Sequence, residues 1–268
     1  MPDWFAVIIL GIIEGITEFL PVSSTGHLLL VENTHLLPQQ SDLFNTVIQS
    51  GAVLAVFLVF SGRIKDLLLN LGDADTRDYL FKLIVAFVIT GAGGVIVKAL
   101  GLTLPKNVAP IAWATLWGGV LILIIEWSFG ESAEREHPTW TIAIAVGIFQ
   151  LLAGIFPGTS RAAATILIAI ALGLSRPAAT EFSFLLGIPT LFAAGGLEIY
   201  KEMKVPGPLP TNQLPTKWSM VALGTIVSAV VAFLVVRWIL RFVQHHTFVV
   251  FGWYRLALGL FMLFLAYR

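Results

Sequence analysis

The stretch Gly11-IIEGITEFLPVSSTG-His27 begins as an apolar helix and runs into a Pro-Val-Ser-Ser-Thr-Gly break; Gly147-IFQLLAGIFPGTSRA-Ala163 does the same later in the chain. A shift of 136 residues lays Gly11 on Gly147, Glu14 on Gln150, Pro21 on Pro157, Ser24 on Ser160 and Gly51 on Gly187. Each break sets polar, turn-forming residues into sequence that otherwise suits lipid. Matching interruptions in two halves of a membrane protein point to its binding site.

The surrounding composition is that of an integral membrane protein. Hydrophobic residues make up 57% and charged residues 12%, against about 45–50% and about 25% in soluble domains. Residues 43–62, 107–125, 182–197 and 218–236 contain no Asp, Glu, Lys or Arg, and these lengths approach the roughly 20 residues that cross a bilayer as a helix. The runs are continuous, not alternating, so they predict helices instead of barrel strands. Trp4, Trp127, Trp140, Trp218 and Trp238 fall near segment ends, where indole rings favour the interface. The formal net charge of zero gives no electrostatic case for nucleic acid. The absence of cysteine excludes disulfides and thiolate metal sites. The first residues lack the basic region and cleavage site of a signal peptide, so segment 4–20 is expected to stay in the mature protein.

The pattern predicts a helix over 3–20, a break from Pro21 to Thr25 and a short helix over about 25–33. Spans are expected at 42–61, 81–99 and 108–128, with charged loops at 62–80 and 129–138. Residues 139–156 would enter, break at Pro157 to Ser160 and return through 161–173; spans follow at 181–199, 217–240 and 248–267, with a Pro-rich loop at 201–216. The expected fold is therefore an all-α integral membrane protein of two inverted-topology repeats. Each repeat has a re-entrant helix-break-helix hairpin and about three transmembrane helices. Together they form one membrane domain over 1–268, with repeat one near 1–130 and repeat two near 136–268. Later spans align better at an offset of 140, which pairs Trp113 with Trp253 and Gly119 with Gly259. Basic residues give a weak orientation signal. Arg63, Lys65, Arg77, Lys82, Arg135, Arg176, Arg237 and Arg241 would face the cytoplasm, and Lys98, Lys106, Lys201, Lys204, Lys217 and Arg268 the outside. That orientation puts both termini outside and lets the first hairpin enter from the external face.

Chemistry concentrates at the breaks. Glu14 and Glu18, four residues apart, share a helix face with Thr17 beside them. Adjacent buried carboxylates need a shared proton, a basic partner or a cation, and an oxygen-only ligand set suits Mg²⁺ or Ca²⁺. Pro21 ends one helix, and Ser23, Ser24 or Thr25 can cap the next. A helix start facing a polar break is an anion site, most naturally for phosphate. Gly158, Thr159 and Ser160 repeat the device, and Arg161 adds a planar fork matched to phosphate oxygens. His27 could serve as nucleophile, general acid or hydrogen-bond donor. His245 and His246 read as interfacial. Arg255 is expected to pair with an acid or a backbone carbonyl inside the bundle, and Asn45 and Gln49 to line the cavity or join helices.

On the strings Glu14-GITEFLPVSSTG-His27 and Pro157-GTSRAAA-Thr165, the chain resembles the undecaprenyl-diphosphate phosphatase, or bacitracin-resistance, family. One position departs from the family's second pattern: Ala162 stands where a serine is usual. The resemblance implies a bacterial inner-membrane enzyme that hydrolyses undecaprenyl diphosphate to undecaprenyl phosphate and phosphate, recycling the lipid carrier of cell-wall synthesis. It further implies a divalent-cation requirement, a site facing the periplasm and resistance to bacitracin, which sequesters the substrate; a homodimer is compatible with it. By motif position, Glu14 and Glu18 match the acidic pair and expected metal ligands. Ser24 and His27 match the functional residues of the first motif, and Arg161 the essential arginine.

Physics and resemblance together assign Ser24, His27, Glu18 and Arg161 to catalysis. Ser23, Thr25, Gly26, Gly158, Thr159, Ser160 and Thr165 are assigned to substrate binding. Ser24 is the first choice of nucleophile, with activated water as the alternative. The competing function is a secondary transporter or lipid flippase, because broken-helix inverted repeats serve transporters too. Phosphatidic-acid-type phosphatase chemistry is rejected, because no histidine follows Ser160-Arg161 at the required distance.

Overall fold

The computed structural model describes residues 3–34, 36–101, 107–204 and 217–268. These residues form eleven helices: α1 (Asp3–Thr17), α2 (Ser24–Asn33), α3 (Asp42–Val59), α4 (Ser61–Leu69), α5 (Ala74–Ala99), α6 (Val108–Phe129), α7 (Trp140–Ile155), α8 (Arg161–Ala171), α9 (Arg176–Lys204), α10 (Trp218–Phe242) and α11 (Val249–Tyr267). Six of them, α3, α5, α6, α9, α10 and α11, are long and apolar enough to cross a membrane, while α7 and α8 are shorter apolar helices. No strand occurs among the described residues, only an isolated bridge between Arg135 and Leu174.

The helices follow the charge-free runs because an α-helix satisfies every interior backbone group within its own segment, which lipid requires. Their outward faces carry large apolar side chains, including Leu58, Val88, Val95, Trp117, Ile226, Val230, Leu234 and Phe264. Trp4, Trp127, Trp140, Trp218 and Trp238 are all exposed at helix ends.

Three of the predicted bounds change. The helix expected over 3–20 ends at Thr17, so the first break opens at Glu18, ahead of Pro21. The charged loop expected at 62–80 is largely helical. Ser61–Leu69 forms α4, which turns Leu67 inward, and α5 starts at Ala74 because Asp73 caps it, accepting from the Thr76 N–H at 2.8 Å. That bond holds the Asp73 carboxyl below its ordinary value. The span expected at 181–199 extends over Arg176–Lys204, so the first residues of the loop expected at 201–216 are helical. The rest of that loop, 205–216, lies outside the described residues, as does Lys106.

Helix α1 packs on α10, and α5 on α7; α3 lies against α9 and α10; α6 pairs with α11; α8 sits against α7, α9 and α6. Small residues let these backbones approach. A Cβ added at Gly15 would lie 2.7 Å from the Ser228 carbonyl on α10, and one at Gly147 would lie 2.8 Å from the Ala86 carbonyl on α5.

Far from the breaks, Glu126 at the end of α6 accepts from Arg176 at the start of α9, Nη2 at 2.6 Å and Nε at 3.0 Å. It also accepts from the Phe248 N–H beside α11 at 2.8 Å. Burying this carboxylate is tolerable only because each oxygen is bonded. The result ties three helix ends into one corner.

Candidate active site

The two breaks are built alike. Ser23 (φ 73°) and Ser160 (φ 70°) are the non-glycine residues with positive φ among those described. Each caps the helix that follows: Ser23 Oγ accepts from the Gly26 N–H at 3.2 Å, and Ser160 Oγ from the Ala163 N–H at 3.2 Å. A left-handed conformation costs an L-residue about 1–2 kcal/mol and persists only where surroundings enforce it. In structure, then, Ser23 matches Ser160 at an offset of 137, one more than the sequence shift. The second break holds one extra residue between its proline and its cap. The consequence is chemical: Ser24 and Arg161 take the same place, the first residue of α2 and of α8.

Glu18 joins the two. It follows the end of α1 with its N–H still bonded to the Glu14 carbonyl at 3.0 Å, and its side chain is buried. Its Oε2 accepts from Ser24 Oγ at 2.6 Å, and its Oε1 from Arg161 Nη2 at 3.3 Å. Arg161 also donates from Nη1 to the Ser183 carbonyl at 3.4 Å, and its guanidinium lies over the Phe19 ring at 5.4 Å. Its Nε has no partner. Gly187 makes the room, for a Cβ there would lie 2.6 Å from Arg161 Nη1.

Glu14 lies one turn before Glu18, 0% exposed, and among the described residues neither of its carboxylate oxygens has a hydrogen-bond partner. Orphaned buried carboxylate oxygens are the donor set a hard cation takes. Among the described residues no group of three or more His, Cys, Asp or Glu is placed to hold a metal. The protein thus offers two carboxylates, and a diphosphate would supply further oxygens. That division is usual for Mg²⁺, which takes one or two carboxylates plus substrate phosphates, so the residues fit the ion.

Glu18, Ser23, Ser24, Thr25, Gly158, Ser160 and Arg161 line a cavity of about 670 Å³. Its walls continue along α5 and α7, at Gly94, Val97, Leu151, Gly154 and Ile155, with Lys98 also lining it. Gln49 faces it as expected, while Asn45 instead donates to Glu32 Oε1 at 3.4 Å.

Of the other expected residues, Gly26, His27, Thr159 and Thr165 stand back from the cavity. His27 bonds through Nδ1 to the Ser23 carbonyl at 2.8 Å and through Nε2 to the Tyr254 hydroxyl at 2.6 Å, with the two rings stacked. Gly26 is buried under Thr115 and Ser23, where a Cβ would sit 3.4 Å from either hydroxyl. Gly158 needs to be glycine twice over: its φ is 95°, and a Cβ would lie 2.5 Å from the Ile111 carbonyl. The Thr159 hydroxyl donates to the Phe156 carbonyl at 2.7 Å. Thr165 is fully buried, donating to the Arg161 carbonyl at 2.8 Å and paired with the Ser183 hydroxyl, so it fastens α8 to α9. Ala162 is buried beside it.

Sequence reasoning missed a polar group in the cavity wall. Gln150 Nε2 donates to Thr90 Oγ1 at 3.0 Å and Thr190 Oγ1 at 3.2 Å, and all three line the cavity. The alignment of Glu14 on Gln150 was the available signal. Tyr254, the partner of His27, gave none.

A polytopic helical bundle with two capped helix starts, a buried carboxylate pair, a serine and an arginine around an apolar-walled cavity is laid out for a phosphate-bearing lipid. Comparison with known proteins agrees. The family model of Bacitracin resistance protein BacA matches residues 7–261, and the chain belongs to that family. It is similar to proteins named undecaprenyl-diphosphatase. One from Rhizobium etli (strain CIAT 652) is 46% identical over 98% of this chain and 97% of its own. One from Xanthomonas oryzae pv. oryzae (strain PXO99A) is 48% identical over 97% and 96%. One from Rhizobium johnstonii is 45% identical over 98% and 97%.

Proposed function

We propose that this chain hydrolyses undecaprenyl diphosphate to undecaprenyl phosphate and inorganic phosphate, so recycling the lipid carrier. The activity for which its relatives are named supports this reading over a transporter or flippase. The observation that carries it is Glu18, bonded at once to Ser24 of the first break and Arg161 of the second.

The prenyl chain lies along the apolar walls of α5 and α7, and the diphosphate sits between the two helix starts. Glu18 takes the Ser24 proton at 2.6 Å as Ser24 Oγ attacks the terminal phosphorus. The bond to the bridging oxygen breaks, and undecaprenyl phosphate leaves. Water then cleaves the phosphoserine, with Glu18 returning the proton. The leaving group is itself a phosphate monoester and needs no strong acid, which accords with His27 bonding to Tyr254 away from the cavity. Arg161, with Nε still free, and the two N-terminal turns meet the equatorial charge; in phosphoryl transfer such electrostatic positioning is most of catalysis. His27 serves the reaction by holding the Ser23 turn, and Ser23, Thr25, Gly26, Gly158, Thr159, Ser160 and Thr165 shape the binding frame. Glu14 and Glu18 would hold a divalent cation, Mg²⁺ or Ca²⁺, which when bound neutralises diphosphate charge.

The helix pairings support the inverted repeat as a single domain. Exchanging the halves turns the α1–α10 contact into α7–α5 and α3–α10 into α9–α5, and leaves α3–α9 and α6–α11 unchanged; all of these contacts occur. The two hairpins are read as re-entrant, in a bacterial inner membrane, with the breaks facing the periplasm. Sequestration of the substrate by bacitracin would then compete with this enzyme at the same face.

Purified protein in detergent, given undecaprenyl diphosphate and Mg²⁺, should release phosphate. Transport without phosphate release would refute the proposal.

A further inference from the structure

Arg255 lies within α11, 0% exposed, and among the described residues no carboxylate pairs with it. Its guanidinium is instead bonded to five backbone carbonyls. Nη1 donates to Pro21 at 3.2 Å and Thr159 at 2.9 Å; Nη2 donates to Gly158 at 2.8 Å and Ala114 at 3.2 Å; Nε donates to Thr115 at 3.1 Å. Three of these carbonyls belong to the breaks: Pro21 to the first, Gly158 and Thr159 to the second. We propose that Arg255 is a positioning residue for the hydrolysis described above, a brace that holds the two breaks at a fixed separation and thereby sets Ser24 against Arg161.

The energetic reason is general. Unwound backbone at membrane depth leaves carbonyls that no helix bond satisfies, and lipid offers none. One planar guanidinium has five donors in a fixed fork, so it can serve both breaks and α6 together. A buried cation without a carboxylate persists only where such bonds replace its hydration. The leverage is short: Pro21 is three residues from Ser24, and Thr159 two residues from Arg161. The chain is shaped to admit the side chain, because a Cβ at Gly118 on α6 would lie 2.0 Å from Arg255 Nη2. The neighbouring Tyr254 holds His27, so consecutive residues of α11 fix both ends of the first break. The offset of 140 puts Thr115 opposite Arg255, and Thr115 Oγ1 reaches the same Gly158 carbonyl at 3.4 Å.

This inference rests on the hydrolase reading, and the test separates the two. Cysteines at Ile16 and Phe156, exposed residues just before each break, carry spin labels in a chain that has no cysteine of its own. The label separation is measured without substrate, so it reports the brace even if no phosphate is released. Without the labels, Arg255→Gln should lower kcat by about 100-fold, the scale of a small misplacement of reacting groups, while KM changes by less than about threefold. In the labelled protein it should broaden the distance distribution. Arg255→Lys, with fewer donors, should recover part of both. Gly118→Ala keeps the arginine but displaces the flexible end of its side chain, and should lower kcat in the same direction. If Arg255→Gln cannot be recovered folded, Gly118→Ala decides. Wild-type distances and wild-type kcat in either recovered variant would overturn the proposal. So would a variant that loses folded protein while the folded fraction turns over normally.

Discussion

The first and second breaks share a backbone device and divide the chemistry. Both follow an apolar helix that ends a few residues before a proline, both turn through a serine at positive φ, and both start a new helix under that serine's cap. At corresponding places the side chains differ: Glu14 against Gln150, Glu18 against Gly154, Ser24 against Arg161. The first break keeps the acids and the hydroxyl, and the second keeps the cation and the space. At Gly154 nothing lies within 4 Å of an added Cβ, so the place answering to Glu18 is part of the cavity wall. A shared backbone frame with unlike side chains brings together a set of groups that neither break holds alone.

Removing the group that bridges the halves should do the most damage. Glu18→Gln loses the Ser24 base and leaves Arg161 without its carboxylate, and should lower kcat by about 10³-fold, within the range of general-base loss. Glu14→Gln, which makes the first break more like the second, should also cut turnover and shift the Mg²⁺ concentration needed for half-maximal rate. Chelation should abolish activity in the unsubstituted protein, and a chelator-insensitive rate would remove the cation from the account. Arg161→Lys retains charge without the fork and should cost about 2–4 kcal/mol in barrier, comparable to a lost oxyanion donor. Gly154→Leu fills the open wall of the second break. It should raise KM for undecaprenyl diphosphate more than for a short prenyl diphosphate, in a steady-state comparison of the two. Tyr254→Phe removes only the bond to His27, worth about 1 kcal/mol, and should slow turnover by about fivefold with metal dependence unchanged.

Much of this was legible beforehand. Four charge-free runs and two nearly charge-free ones marked six spans, because burial in lipid leaves little freedom in composition. The two break motifs named Glu14, Glu18, Ser24 and Arg161 because acids and arginine at membrane depth have few structural uses. Less visible was anything that depends on backbone geometry. The offset of 136 paired Ser24 with Ser160, while the positive φ of Ser23 shifts the match to Arg161. The helix Ser61–Leu69 was hidden because its charges, Arg63, Lys65 and Asp66, read as loop, although one apolar face is enough to hold a short helix on the bundle. Arg255 could be seen to need partners, but which carbonyls it takes follows only from the packing of α6 and α11 around both breaks.

The claim that both breaks form one site is tested most directly by pairing cysteines at Ser24 and Ser160 in this cysteine-free chain. Both residues line the same cavity, and Glu18 reaches Ser24 and Arg161 at once. Reagents that span about 10–12 Å, one helix diameter, should therefore crosslink the pair efficiently in membranes, and undecaprenyl diphosphate should protect against them. No crosslink from any such reagent, with both cysteines reactive, would place the breaks in separate sites and contradict the account.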